Sequence, residues 1–299
     1  MTERLDEYGV APKDYRLPAS THIGRVRIQV SNLDRSISYY QTVIGFGVIE
    51  RSGAVATLGA QGSGRVLLEL HEKPGVQSVG HRGRIGLYHF AILLPDRPAL
   101  GRFLRHLSET GQRVGMSDHL VSEALYLSDP DGIGIEVYAD RPRSAWRHAA
   151  RQLAMASDPL DVDDLVAAGG HEPWTGAPAG TVIGHVHLYV RELDKASAFY
   201  HDALGFDKIV WNYPGALFMS AGGYHHHLGT NTWAASSPIA SDEDAKLIEW
   251  EVVVPTTKDV SDAAASLERA GFSVERSGQT AAARDPWGTQ LRLVSEATA

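Results

Sequence analysis

The chain has 299 residues, 43% of them hydrophobic and 21% charged, and these proportions are typical of a globular protein large enough for two domains. It contains no cysteine, which excludes disulfides, zinc–thiolate clusters and thiol nucleophiles and leaves its 14 histidines and its carboxylates to bind any metal. The net charge of −8 argues against a nucleic-acid partner. No apolar run approaches the roughly 20 residues that span a membrane, and the charged first ten residues are unlike a signal peptide. We therefore expect a soluble, cytoplasmic protein.

Residues 20–75 have the pattern of a strand, a helix and further strands. The segment VRIQV alternates as a half-buried strand does, and Ser31 and Asn32 then offer a helix cap. Apolar residues recur at helical spacing from Leu33 to Ile44, and Gly45 is a typical helix stop. The strand-like segments GVIER and RVLLEL follow. We call this βαβββ unit module a.

The same unit returns three more times along the chain. Gly24–Phe46 matches Gly184–Phe206 at an offset of 160 residues, and the segment from Tyr88 matches the segment from Ile248 at the same offset. The further modules are b (85–140), c (181–234) and d (246–296). We predict an α+β protein of two tandem domains, 20–142 (modules a and b) and 181–296 (modules c and d), joined by a linker, 143–180.

The most informative local segment runs from His119 to Glu136. Asp129–Gly132, with the sequence DPDG, is typical of a tight turn between two strands. Glu136 lies between Ile135 and Val137 on the strand that follows, so its carboxylate points to the opposite face from these apolar neighbours. We expect Glu136 either to line a concave surface or to be paired.

Four βαβββ modules with a leading Gly-His-Val strand resemble the vicinal oxygen chelate superfamily, which includes glyoxalases, bleomycin-resistance proteins and extradiol dioxygenases. Because this fold carries several unrelated chemistries, the site residues must decide the function. His119, then Leu-Tyr126, Asp-Pro-x-Gly and Glu136 at this spacing are similar to the signature of catechol 2,3-dioxygenase-like extradiol ring-cleaving enzymes. The resemblance implies that Glu136 is a metal ligand and that His119 and Tyr126 are catalytic. Ser117 departs from the residue types usual two places before the histidine.

The resemblance also implies two histidine ligands, because such enzymes hold Fe(II) with two histidines and one carboxylate. His89, on the first strand of module b, and His185, on the first strand of module c, occupy ligand positions of the fold. Module a has Arg25 at that position, and a guanidinium has no lone pair to give. Module d has also lost the set that module b retains: His89, Glu136, Tyr126 and His119 correspond to Glu249, Arg292, Ala282 and Glu275.

These complementary losses lead us to the hypothesis that module b pairs with module c, giving one metal per chain. The rival arrangement pairs module a with module b, with His22 or a neighbour as the substitute ligand, or with an incomplete site.

Three consecutive histidines, His225, His226 and His227, lie at the end of module c. In the extradiol family a catalytic histidine lies about forty residues after the first ligand, and His226 follows His185 by 41. The resemblance therefore favours His226 as the catalytic acid–base residue, with His225 or His227 as the next candidates.

The function implied is Fe(II)-dependent extradiol cleavage of a catechol-type aromatic diol by O2, in aromatic hydrocarbon catabolism; the same ligands also accept Mn(II). Two alternatives stay open: a glyoxalase-like metal-dependent isomerase or lyase, and a resistance protein that only binds aromatic compounds. A homodimer is also expected of such tandem repeats. The identity of the catechol and the side on which it is cleaved are not encoded in any motif of the sequence.

Overall fold

The computed structural model describes residues 8–299, so most of the charged N-terminal segment considered above lies outside the described residues. Module a comprises β1 (His22–Val30), α1 (Leu33–Tyr39) with a π-helical turn (Tyr40–Ile44), β2 (Gly47–Ser52), β3 (Val55–Gly59) and β4 (Leu68–Glu72). Module b comprises β5 (Gly86–Leu93), α2 (Arg97–Glu109), β6 (Gly115–Asp118), β7 (Ser122–Ser128) and β8 (Gly134–Asp140).

The segment between modules b and c contains a 3₁₀ turn (Arg143–Ala145), the short strands β9 (His148–Ala149) and β10 (Gln152–Leu153), and α3 (Val162–Ala168). Module c comprises β11 (Val182–Tyr189), α4 (Leu193–Ser197) with a π-helical turn (Ala198–Ala203), β12 (Asp207–Val210), β13 (Ala216–Ser220) and β14 (Leu228–Asn231). Module d comprises β15 (Lys246–Val254), α5 (Thr257–Arg269), β16 (Val274–Ser277), β17 (Thr280–Arg284) and β18 (Gln290–Ser295).

Local sequence explains where the helices begin and end. The Asn32 side chain caps α1 by accepting the backbone N–H of Arg35 at 2.8 Å, as its position after VRIQV predicts. Gly45 ends the π-helical turn with φ at 85°, a left-handed conformation that glycine adopts without strain. None of the helices in residues 8–299 is long and apolar enough to cross a membrane.

The modules assemble into two eight-stranded sheets, each built from both halves of the chain. The first sheet has the order β16-β17-β18-β15-β1-β4-β3-β2 and joins module d to module a. The second has the order β12-β13-β14-β11-β5-β8-β7-β6 and joins module c to module b. The hypothesis that module b pairs with module c is therefore confirmed, and the rival pairing of a with b within one sheet is wrong. The division into tandem domains at 143–180 stays a proposal about the order of modules along the sequence.

Modules that are adjacent in sequence pack against each other through a repeated tyrosine–aspartate contact. The Tyr40 hydroxyl donates to Asp129 Oδ2 at 3.2 Å, and the Tyr200 hydroxyl donates to Asp285 Oδ2 at 3.0 Å. Each aspartate begins an Asp-Pro-x-Gly turn and is buried. Burial raises the pKa of Asp129 to about 7 and that of Asp285 to about 6.

Candidate metal centre and active site

The strand register of the second sheet brings the three predicted metal ligands to one face. His185 on β11 lies opposite Ala91 on β5, and Ala91 lies opposite Glu136 on β8. Residues directly opposite each other on neighbouring strands point to the same face, and His89, two residues before Ala91, shares that face as well. The two histidines and the glutamate therefore surround the small side chain of Ala91.

The three side chains are buried and converge. Glu136 Oε2 lies 3.0 Å from His89 Nε2 and 3.2 Å from His185 Nε2, and one ligand atom from each residue lies within 4.8 Å of the others. Two ligands about 2.1 Å from a metal ion and at right angles to each other are separated by about 3.0 Å. His89 Nε2 is buried and forms no hydrogen bond of acceptable geometry with any residue in 8–299, despite its short distance to Glu136. This unsatisfied nitrogen and the spacing of the donors fit a metal ion held between the three residues.

The electrostatics of the cluster keep its members in the ligating protonation states. Burial lowers the pKa of both His89 and His185, so their imidazoles are neutral with lone pairs available. Burial alone would raise the pKa of Glu136, but its interactions with His185 and His89 hold that pKa well below its usual range. Two neutral imidazoles and one carboxylate are the ligand set expected of a non-haem iron site.

Two glycines make room for the histidine-bearing strand. A Cβ at Gly184 would lie 1.8 Å from the Tyr138 hydroxyl, beside a register irregularity between Ile183 and His185. A Cβ at Gly229 would lie 2.8 Å from the His187 ring. Any larger residue at these positions would push the rings of β11 out of place.

His226 lies against the cluster, where sequence reasoning expected the catalytic acid–base residue. Its ring centroid is 4.0 Å from that of His185, and His226 lines the same cavity as His89 and Glu136. His225 does not line this cavity, and its Nε2 lies 2.8 Å from Asp140 Oδ1. The third member of the run, His227, accepts the backbone N–H of Ala221 at Nδ1.

A hydrogen-bonded chain fixes which nitrogen of His226 carries a proton. The Asp140 carboxylate accepts a hydrogen bond from His225 Nε2–H, so Nδ1 of the neutral His225 ring holds a lone pair. His225 Nδ1 lies 2.7 Å from His226 Nδ1, which must therefore be the donor when both rings are neutral. This leaves the Nε2 lone pair of His226 as a proton acceptor. Burial lowers the pKa of His226 well below its usual range, which favours this neutral form.

His119 and Tyr126 form a second polar pair at the cavity. His119 Nδ1 lies 2.6 Å from the carbonyl oxygen of Ala156 and so donates to it. His119 Nε2, 2.5 Å from the Tyr126 hydroxyl, therefore accepts from that hydroxyl in the neutral state. Burial and the charge of Glu136 raise the pKa of Tyr126 well above its usual range, so the phenol stays protonated.

His187 is a cavity residue that the sequence analysis did not single out. It lies two residues after His185, pairs with His89 across β11 and β5, and has a ring centroid 5.0 Å from that of His89. Its Nε2 lies 3.0 Å from the Asn231 amide nitrogen and accepts from it, so its proton is on Nδ1. The alternation in GHVHLYV, which puts His185 and His187 on one strand face, was the signal for it.

All the residues predicted to act at the site line one cavity or border it. The cavity has a volume of about 150 Å³ and is lined by His89, His119, Tyr126, Glu136, His187 and His226 together with apolar side chains that include Phe218 and Trp233. His185 lies behind His226, in contact with it. The cavity therefore combines a cluster of three candidate metal ligands with three further side chains that can donate or accept a proton, His119, Tyr126 and His226, inside a largely apolar enclosure.

This chain is similar to proteins of known family. The family model described as Glyoxalase/Bleomycin resistance protein/Dioxygenase superfamily matches residues 22–137 and 182–293. A "Catechol-2,3-dioxygenase" of Bacillus subtilis (strain 168) is 47% identical over 270 residues, which are 89% of this chain and 94% of the relative.

Solved structures share the fold at low sequence identity. A candidate dioxygenase from Bacillus subtilis superposes with a TM-score of 0.67 at 12% identity, covering 94% of this chain and 86% of its own. Glyoxalase I from Zea mays superposes with a TM-score of 0.56 at 18% identity, covering 92% of both chains.

The predicted superfamily and the fold of βαβββ modules are confirmed, and the relative confirms the prediction of an extradiol ring-cleaving dioxygenase. The chain belongs to the glyoxalase/bleomycin resistance protein/dioxygenase superfamily.

Proposed function

We propose that this protein is an Fe(II)-dependent extradiol dioxygenase that uses O2 to cleave a catechol-type aromatic diol, in the manner that the name of its Bacillus subtilis relative states. The observation that carries the proposal is the buried convergence of His89, Glu136 and His185 beside a cavity that also contains His226, His119 and Tyr126. We propose the first three as the metal ligands and the last three as the catalytic residues.

When bound, Fe(II) would supply adjacent open positions at which a catechol and dioxygen meet in fixed geometry. The enclosing side chains hold the aromatic ring and exclude water: Phe218 and Trp233 are apolar walls of the cavity. A dry site strengthens each polar interaction within it, because fewer water dipoles screen the charges.

His226 is the base in this proposal. Its Nε2 lone pair accepts a phenol proton of the catechol, and the chain through His225 to Asp140 stabilises the imidazolium that results. A positioned acid–base group of this kind contributes roughly 10²–10⁴-fold to the rate. The protonated imidazole of His226 then returns the proton to the ring-opened product.

His119 and Tyr126 act on the opposite side of the cavity. The Tyr126 hydroxyl, kept protonated by burial, donates a hydrogen bond to a substrate or product oxygen when it turns from His119. His119 in turn holds its orientation through the carbonyl of Ala156.

A glyoxalase-like isomerase or lyase of this superfamily is expected to carry a glutamate on the last strand of the first module of its site, and module c has none there. Glu69 in module a lies opposite Arg27 on β1, and the corresponding residue in module c is Gly229, which lies opposite His187. The second sheet therefore has no carboxylate at the position where an isomerase of this fold needs one, and the dioxygenase assignment is favoured.

Anaerobic reconstitution tests the assignment. The apoprotein is loaded with Fe(II) or, in parallel, Mn(II), mixed with catechol and then exposed to O2. We expect one metal per chain, consumption of one O2 per catechol and a yellow ring-opened semialdehyde. Metal binding without oxygen uptake across a panel of catechols would refute the proposal. The rate of ring cleavage with Fe(II), compared with the rate with Mn(II), identifies the metal that supports activity. The homodimer stays a prediction, which light scattering can test. The cytoplasmic location also stays a prediction, which cell fractionation can test.

A further inference from the structure

A second, larger cleft adjoins the candidate active site. It has a volume of about 630 Å³ and shares Tyr88, His89 and Tyr126 with the smaller cavity. The smaller cavity, about 150 Å³, is well below the 300–1,000 Å³ or so of sites that enclose a drug-sized ligand. It therefore suits an aromatic ring with little attached to it, and a side chain that extends from the ring past Tyr88 would reach the larger cleft.

The larger cleft is basic, although the protein as a whole carries a net charge of −8. Its lining residues, all in the described part of the chain, include four cations and no aspartate or glutamate. Two of the cations are already neutralised: Arg84 by Asp244 at 2.8 Å, and Lys246 by Asp242 at 2.6 Å. The other two are Arg82 and Arg113.

Arg82 and Arg113 form no ion pair with any residue between 8 and 299. Two uncompensated guanidinium groups beside one cleft attract an anion, and a guanidinium recognises a carboxylate through two parallel hydrogen bonds. The remainder of the cleft carries no charge that would oppose such a ligand.

Arg82 is also held in an unusual backbone conformation. Its φ is 57°, a region that non-glycine residues rarely occupy, and its carbonyl accepts a hydrogen bond of 2.7 Å from the Ser237 hydroxyl. Strain of this kind persists only where surrounding contacts enforce it, and it is concentrated at functional sites.

An aromatic group lies between the basic residues and the candidate metal ligands. The Tyr88 ring is 4.7 Å from that of Tyr189 and 4.5 Å from that of His89, and His81 contacts both tyrosines. The route from the metal ligands to Arg82 therefore passes along an aromatic wall that suits the apolar part of a substituent.

From these observations we infer that the larger cleft is a subsite for an anionic substituent, and that the preferred substrate is a catechol carrying a carboxylate on a short side chain, bound by Arg82 and Arg113. This inference rests on the proposed function for the ring-cleaving step, but the anion subsite itself can be tested by binding alone.

The kinetic test compares a dihydroxyphenylpropionate with its methyl ester, which has nearly the same shape and no charge. We expect the Fe(II)-loaded enzyme to prefer the acid, with each of Arg82→Gln and Arg113→Gln lowering kcat/KM for the acid about 10-fold, a typical effect for a charge-assisted hydrogen bond. Unsubstituted catechol has no carboxylate, so its kcat/KM should fall less in these variants than the kcat/KM for the acid. Added salt should weaken the preference, because these arginines are exposed.

Arg269→Gln is the matched control, since Arg269 is an exposed arginine that does not line the cleft. Equal kcat/KM for acid and ester, or a preference for the acid that survives in the Arg82→Gln/Arg113→Gln double variant, would overturn the inference.

The binding test uses phenylpropionate and phenylpropanol, which cannot be cleaved, with calorimetry on the metal-loaded protein. We expect the acid to bind more tightly than the alcohol, and only Arg82→Gln and Arg113→Gln to remove the difference. If no catechol is cleaved but this difference is present, the proposed function fails and the anion subsite stands. If the two compounds bind equally, the anion subsite fails whatever the catalytic result.

Discussion

The two sheets place different chemistry on equivalent faces. In the sheet of modules b and c, the cluster is two histidines and a glutamate, and three of its buried nitrogens (His89 Nδ1, His89 Nε2 and His185 Nδ1) form no hydrogen bond with any residue in 8–299. In the sheet of modules a and d, Arg27 bridges Glu69 and Glu249 at 2.9 Å to each. Arg292 adds a second bond to Glu249 at 2.8 Å, and Arg25 binds Glu251 at 2.7 Å. Three arginines thus neutralise three glutamates, and that face is a closed ion-pair network.

Ala91 in the second sheet and Glu251 in the first occupy equivalent positions. Ala91, between His185 and Glu136, corresponds to Glu251 at the offset of 160, and Glu251 lies opposite Arg292 as Ala91 lies opposite Glu136. In the first sheet the Glu251 carboxylate therefore fills the space that, in the second sheet, stays open beside the two histidines and Glu136. The proposed metal site therefore differs from the equivalent face of the first sheet in two respects: no arginine is paired with its donors, and a small residue lies between them.

Replacing His185 with Ala breaks the second sheet's cluster most severely. We expect metal content to fall from one per chain to none, and ring cleavage to be lost with it, because only one histidine and one carboxylate remain. Elemental analysis and the semialdehyde assay measure the two effects. His22→Ala is the control, since His22 belonged to the rejected pairing of modules a and b; loss of metal there and not in His185→Ala would contradict the assignment.

Replacing Ala91 with Glu imports the residue of the first sheet into the second. The added carboxylate would occupy the space between His185 and Glu136, so we expect metal affinity to fall by more than about 100-fold, the upper range for disrupting contacts around a metal. Titration with Fe(II) measures it. Ala91→Ser serves as the control for a small polar residue and should retain metal; unchanged affinity in Ala91→Glu would show that Ala91 does not border the site.

Replacing Arg27 with Met should have the opposite outcome, a loss of stability with the metal retained. It leaves Glu69 and Glu249 buried with fewer cationic partners, which costs about 3 kcal/mol of the free energy of unfolding. Urea denaturation and metal analysis on the same sample test this. A variant of unchanged stability would mean that the ion-pair network contributes nothing to the fold.

Replacing Asp140 with Asn interrupts the chain behind His226 without emptying its space. The amide can present NH2 to His225 and reverse the direction of the chain, so we expect kcat to fall about 10- to 100-fold while the KM for catechol changes little. Steady-state kinetics separate the two constants. A fall in metal content, or a change confined to KM, would show that Asp140 acts on the structure of the site and not on His226.

The repeated aspartates give the smallest effects. Their pKa values, about 7 for Asp129 and about 6 for Asp285, lie above the 3.8 of an unperturbed aspartate, so the native state holds protons that the unfolded state releases. Stability contributed in this way is complete below pH 4 and declines as pH rises through 6 to 7. We expect Asp129→Asn to flatten that decline more than Asp285→Asn. Urea midpoints from pH 4 to pH 8 measure it, and an equal slope in all three proteins would contradict the prediction.

The sequence was sufficient to predict the modules and the pairing of b with c. Only a few residue types can bind a metal, and aligning the repeated modules shows that modules a and d lack these residues where modules c and b have them. The contact of His225 with Asp140 could not be predicted, because it joins β8 to the end of module c, 85 residues away. The position of Ala91 between His185 and Glu136 could not be predicted for the same reason. It depends on the register of β5 with β11 and β8, and nothing in the sequence around Ala91 indicates that register.

The pairing of β11 with β5 has a consequence for how the protein is made. His89 and Glu136 leave the ribosome well before His185, so a nascent chain holds an incomplete set of donors until the strand from module c docks. A prematurely terminated product that ends in the linker would retain the whole His119-to-Glu136 segment and still lack His185, one of the three proposed metal ligands. Under the proposed function, ring cleavage therefore begins only after module c has been made and has docked on module b.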